Sequence, residues 1–168
     1  ATAMTHNDSE SGFDTSTGML TLYFDNVEEG NTITAGTPFI VKWAEDDDIS
    51  NPAFSGMTVS STTAGSVTST DGKVSFIGNY DPVTLAAGAG NYYLGTNNKL
   101  YTPSTDRTMN AFRAYFHIGT PSSIKRITLN FGENEPITGI MEVKDGQSSM
   151  VNGQSGWYTL QGVKLPKL

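Results

Sequence analysis

NAFRAYFHI (110–118) places an arginine, two phenylalanines, a tyrosine and one of the chain's 2 histidines within a single short stretch, and its period decides the fold. Read with a period of two, Phe112, Ala114, Phe116 and Ile118 share one face, and Ala111, Arg113, Tyr115 and His117 share the other. Read with a helical period, Met109, Phe112 and Phe116 fall three and four apart on a stripe. The strand is preferred: one face is wholly apolar, the other mixed, and no cap flanks the segment as a helix would require. The first face is then a core face. The second is a polar-aromatic ladder.

The same period recurs on both sides. MLTLYF (19–24) aligns Leu20, Leu22 and Phe24; PFIVKW (38–43) aligns Phe39, Val41 and Trp43, with Ile40 and Lys42 opposite. KVSFIGNY (73–80) aligns Val74, Phe76, Gly78 and Tyr80, and KRITLNF (125–131) aligns Ile127, Leu129 and Phe131. Turn chemistry separates these runs. Asp71-Gly72 in TDGK (70–73) suits a type I′ hairpin turn, and Asn97-Asn98 in TNNK (96–99) supplies residues that tolerate positive φ. Short alternating runs with frequent turns predict an all-β chain, an antiparallel β-sandwich of jelly-roll or immunoglobulin-like type, with a barrel-like closure as the variant.

Four segments follow from composition along the chain. Residues 1–17 are polar and aperiodic, the pattern of a disordered lead-in. The sandwich body is expected at 18–131. Residues 132–156 read as one strand candidate, ITGIMEV (137–143), followed by a Gly/Ser/Gln/Asn linker. WYTLQGVKL (157–165) reads as the start of a strand, making 157–168 a truncated C-terminal strand fragment.

Hydrophobic residues make up 36% of the 168 positions, so 8 Phe, 7 Tyr and 2 Trp must supply much of the core. Charged residues are 16%, well under the globular average of about 25%. Polarity is carried instead by hydroxyls and amides, a composition common among extracellular β-proteins. Ten acidic residues face one basic residue in 1–48, whereas seven face nine in the remainder. That balance argues against nucleic acid, which needs a basic footprint. With 0 cysteines the chain has no disulfide, thiolate nucleophile or Cys-ligated metal site. No apolar run reaches the length of a transmembrane helix.

Catalytic chemistry finds few parts. His6 falls in the expected lead-in, which leaves His117 as the structured imidazole. No G-x-S-x-G serine elbow is present. Acidic residues sit mainly in loops, with no spacing that singles out a glycosidase pair. Asp46, Asp47 and Asp48 are the best hard-cation candidates, because Ca²⁺ prefers several carboxylate oxygens on one loop. They lack EF-hand spacing, and a solvated acidic loop is the simpler expectation. No cofactor is expected otherwise. Sugar binding has better parts: Tyr92, Tyr93 and Tyr101 flank the Asn97-Asn98 turn, where ring faces could stack on a pyranose. Cross-strand pairing within the hairpin is the competing account. Arg113, Tyr115 and His117 form a second candidate surface for a ligand or anion, against which stands an ordinary polar sheet face.

AGTPFIVKW (35–43), NPAFSGMTV (51–59), VSFIGNYDPVTL (74–85), NYYLGTNNKLYTP (91–103), NAFRAYFHI and WYTLQGVKL follow in an order that resembles the C-terminal β-rich domains of secreted or cell-surface proteins of Bacteroides-type bacteria. The resemblance covers about residues 19–165, with NAFRAYF and WYTLQG its most specific parts. It implies an exported all-β domain without an established catalytic role, and it transfers no ligand residues. In that family a WYTLQG-type segment usually continues into a second strand of a surface-sorting tail, and here Pro166-Lys167-Leu168 follows instead. The expected function is a non-enzymatic adhesive or structural module, with a glycan or a host or cell-surface protein as partner. A carbohydrate-binding module accessory to polysaccharide degradation is the alternative.

Overall fold

A computed structural model describes residues 2–42, 62–95, 100–119 and 124–132, together with the backbone of 141–144 and 147–150. Every regular element among them is a strand: β1 (Thr2–Asp14), β2 (Met19–Asn26), β3 (Phe39–Lys42), β4 (Ser66–Thr68), β5 (Val74–Asn79), β6 (Val83–Leu85), β7 (Asn91–Leu94), β8 (Leu100–Tyr101), β9 (Arg107–Met109), β10 (Arg113–Ile118), β11 (Arg126–Asn130), β12 (Met141–Lys144) and β13 (Gln147–Met150). They form a sheet ordered β13-β12-β11-β2-β1-β3, a second ordered β4-β5-β10-β7-β8, and a ribbon of β6 and β9. The chain is an all-β sandwich. The second sheet is antiparallel, but the first is mixed, because β11 runs parallel to β2 with Ile127 opposite Leu20 and Leu129 opposite Leu22.

Period-two alternation explains which side chains face inward. Leu20, Leu22 and Phe24 of β2 and Ile127, Leu129 and then Phe131 of the β11 segment are buried on one sheet; Val74, Phe76, Phe116, Ile118 and Tyr92 are buried on the other. Phe24 joins the two layers. Its ring meets Phe76 at 5.9 Å and Phe116 at 6.1 Å, both edge-on, while Phe76 and Phe116 stack at 4.6 Å across opposing strand positions. Such aromatic pairs add about 0.5–1.5 kcal/mol beyond the area they bury. On β3, Ile40 packs against this core because it pairs with buried Met4. Phe39 and Val41 therefore share the opposite face, as their spacing predicts. Trp43 lies outside the described residues.

The expected disordered lead-in is instead an interior strand of the first sheet, next to the edge strand β3. β1 pairs with β2 on one side and β3 on the other, so its backbone groups are satisfied despite a polar sequence. Its inward face is short, Met4 and His6, because the register shifts between Asn7 and Gly12. Residues 8–11 bulge out opposite Leu22, and the Ser11 hydroxyl accepts the Tyr23 N–H at 2.8 Å in place of a strand carbonyl. The β1–β2 turn is closed by Asp14, whose carboxylate accepts the Ser16 and Thr17 hydroxyls and the Ser16 N–H. These bonds hold its pKa down to about 2.

The turn between β4 and β5 also differs from expectation. Gly72 (φ 68) is its residue with positive φ and Asp71 is not, so Asp71-Gly72 is not a type I′ pair. The Asp71 side chain builds the turn instead, accepting the Ser69 hydroxyl at 2.6 Å and the Lys73 N–H at 2.9 Å. It also accepts the Phe13 N–H at 2.9 Å, while the Thr70 N–H donates to the Asp8 carbonyl at 2.9 Å. One turn of the second sheet is thereby fastened to β1 of the first. Partial burial opposes ionisation of Asp71, but the bonds from Ser69, Phe13 and Lys73, with the Lys73 charge, outweigh it and lower its pKa.

The sheet does not stop at 131. β12, which includes the end of the ITGIMEV candidate, pairs with β11 through Arg126–Glu142, and β13 forms where a linker was expected. The fragment 157–168 lies outside the described residues. No helix among those described is long and apolar enough to cross a membrane.

Candidate functional site

β10 is the strand that NAFRAYFHI predicts, but it begins at Arg113. Ala114, Phe116 and Ile118 face the core; Arg113, Tyr115 and His117 face outward as expected. Phe112, expected in the core, is 75% exposed and has a left-handed backbone at φ 57. The cause is Asn79. Its carbonyl accepts the Phe112 N–H at 2.9 Å and its Oδ1 accepts the Arg113 N–H at 3.0 Å; its Nδ2 donates to the carbonyls of Asn110 at 2.9 Å and Asp81 at 2.7 Å. One amide side chain uses both its donors and its acceptor to turn the backbone before β10 starts. Alternation therefore fails at residue 112, and the ring swings to solvent.

Phe112 does not stand alone. Tyr80, expected inward with Phe76, is 38% exposed because β5 ends at Asn79. The two rings meet with centroids 5.9 Å apart and planes inclined by 41°. Arg113, also exposed, donates from Nη1 to the Phe112 carbonyl at 3.2 Å. The result is a corner of the second sheet with two solvent-facing rings and a guanidinium beside them. A bulky residue with positive φ costs on the order of 1–3 kcal/mol, and such strain concentrates at sites of contact. The sequence signal for this corner was present in the Asn residues at 79 and 110, which favour turns at both its borders.

The other candidates are more committed. Tyr92 lies opposite Phe116 in the core, where burial raises its pKa. Tyr93 and Tyr101 form a cross-strand pair, stacked at 5.8 Å with planes 23° apart. The Arg107 guanidinium lies 4.9 Å from the Tyr93 ring centre, and its Nη1 donates to the Tyr93 hydroxyl at 2.7 Å. Tyr101 also lies against Gly95, where an added Cβ would come within 2.7 Å of the ring. These rings pack on one another and, through Arg107, on β9, as the hairpin account holds. Arg107 was not singled out by sequence, because only the β6–β9 ribbon brings it to Tyr93.

His117 shares an Nδ1 contact with Asn91 Oδ1 at 3.1 Å on the exposed face, and Tyr115 is half-buried beside it. His6, expected in a mobile tail, is buried against Phe24 at 5.6 Å and Phe76 at 6.2 Å. Neither of its ring nitrogens has a hydrogen-bond partner. Burial lowers its pKa, opposed only in part by the nearby Val67 backbone and the charge of Asp8. It is a core imidazole. Asp46, Asp47 and Asp48 lie outside the described residues, among which no group of His, Asp and Glu is placed to hold a metal ion.

Comparison with family models, with curated proteins and with solved structures finds no match to this chain.

Proposed function

We propose that the chain is a non-enzymatic β-sandwich module of an exported or cell-surface protein, serving attachment through the Tyr80–Phe112–Arg113 corner. The observation that carries this is Phe112: a large apolar ring held in solvent at positive φ by a dedicated amide network. An aromatic ring exposed at such conformational cost is better suited to meeting a partner than to filling a core. Arg and aromatic side chains together are also the residue types that dominate contact energetics.

Two further features support attachment over catalysis. One imidazole is enclosed by Phe24 and Phe76, and the other is engaged with an amide on an open face. The composition, low in charge and rich in hydroxyls and amides, supports an extracellular setting, as does the resemblance carried by NAFRAYF and WYTLQG.

Protease shaving of intact source cells tests the location. The chain should be cleaved before lysis; full protection until the cells are broken would refute an exposed surface position. Attachment is tested by comparing adhesion of the purified wild-type chain and the Phe112→Ala variant to source-cell and host-cell surfaces. Equal adhesion of the two would remove the corner from the function.

A further inference from the structure

We propose that the Tyr80–Phe112–Arg113 corner binds one pyranose ring of a neutral glycan chain, stacked on the Phe112 ring. The inference rests on the attachment role proposed above and assigns its ligand class.

Size and rim chemistry decide between ligands. Among the described residues the exposed large apolar side chains are these two rings, whereas a stable protein partner needs about 1,000 Å² or more of complementary interface. A pyranose presents one C–H face of about the area of a single aromatic ring, bordered by hydroxyls. The corner matches that distribution. The rings of Phe112 and Tyr80 are inclined by 41° rather than stacked face to face. Arg113 stands at the rim with one Nη1 hydrogen on the Phe112 carbonyl, and its guanidinium carries further donors suited to hydroxyl oxygens. Asp81 adjoins Tyr80 in the chain, so a carboxylate stands beside the Arg113 rim. That carboxylate disfavours a polyanionic chain and favours a neutral one.

The corner is also preformed. Asn79 bonds on both sides of Phe112, to Asn110 and to the Arg113 N–H, so the ring's backbone is positioned before any ligand arrives. Preorganisation of this kind reduces the ordering cost of binding.

The test titrates the full chain, ¹⁵N-labelled, with cellohexaose, laminarihexaose, mannohexaose and hexagalacturonic acid, and maps the perturbed amides. At least one neutral hexaose should perturb Tyr80, Phe112 and Arg113. Phe112→Ala should weaken that binding about tenfold, the factor carried by about 1.4 kcal/mol of stacking. Tyr115→Ala, on the neighbouring outer face, should leave it unchanged. Stronger binding of the galacturonic acid chain would overturn the neutral class. Hexaose binding that maps to Tyr93, Tyr101 or Tyr115 would overturn the site while leaving an attachment module. If no hexaose binds yet Phe112→Ala lowers adhesion to cell surfaces, the ligand class is wrong and the attachment role stands. If no hexaose binds and adhesion is unaffected, both fall.

Discussion

Phe112 and Phe116 sit four residues apart in one short stretch and do opposite things. Phe116 is 1% exposed and stacks on Phe76, so Phe116→Ala should cost about 3–5 kcal/mol in urea unfolding. Phe112→Ala removes a solvent-facing ring and should change stability by no more than about 0.5 kcal/mol. Phe112→Gly, which relieves the positive φ, should be neutral or stabilising by up to about 1 kcal/mol. His6 makes a second residue-scale prediction. Its folded pKa lies below the ordinary 6.5, so the unfolded chain binds the extra proton first. Stability is then complete above the ordinary value and falls as pH drops from there toward the lowered one. Replacing His6 by Leu should flatten that slope in unfolding curves measured between roughly pH 7 and 5. An unchanged slope would show that His6 is not its source.

Elements show why part of the structure was legible and part was not. β2 and β10 each carry three apolar residues at period two, β5 and β11 carry two, and local pattern sufficed to place them. β1 carries just Met4 and His6 inward before the bulge at 8–11 interrupts the alternation. Its order comes from pairing with β2 and β3, which its own residues do not signal, so its polar composition misled. Similarly, Phe112 and Tyr80 extend their strands' patterns by one residue on paper, while Asn79 ends both in space. The Tyr93–Tyr101 pair was readable as a hairpin contact, but the Arg107 cover was not. Two substitutions test these junctions. Asn79→Ala removes the side-chain hydrogen bonds on either side of Phe112, which are exposed, and should cost about 0.5–1.5 kcal/mol. Asp71→Ala unfastens the β4–β5 turn from β1 and should cost about 1 kcal/mol at neutral pH. Because the Asp71 pKa is lowered, its contribution is present above the ordinary carboxylate range and is lost as pH falls below it. The wild-type and variant stabilities should therefore converge in acid.

At the scale of the molecule, the residues that hold the sandwich together are separate from the proposed contact corner. Phe24, Phe76 and Phe116 bind the two sheets to each other, and the Asp71 turn fastens them at one margin. The Tyr80–Phe112–Arg113 corner takes part in neither of these fastenings. Composition and period were enough to read the all-β sandwich; the proposed contact corner depends on a side-chain amide that bends one strand entry. The most direct measurement is a paired comparison of Phe112→Ala with wild type: midpoint of urea unfolding, and affinity for the neutral hexaose that perturbs the corner. An unchanged midpoint with about tenfold weaker binding is the expected result. A lowered midpoint with undiminished binding would make Phe112 a structural residue and contradict the account.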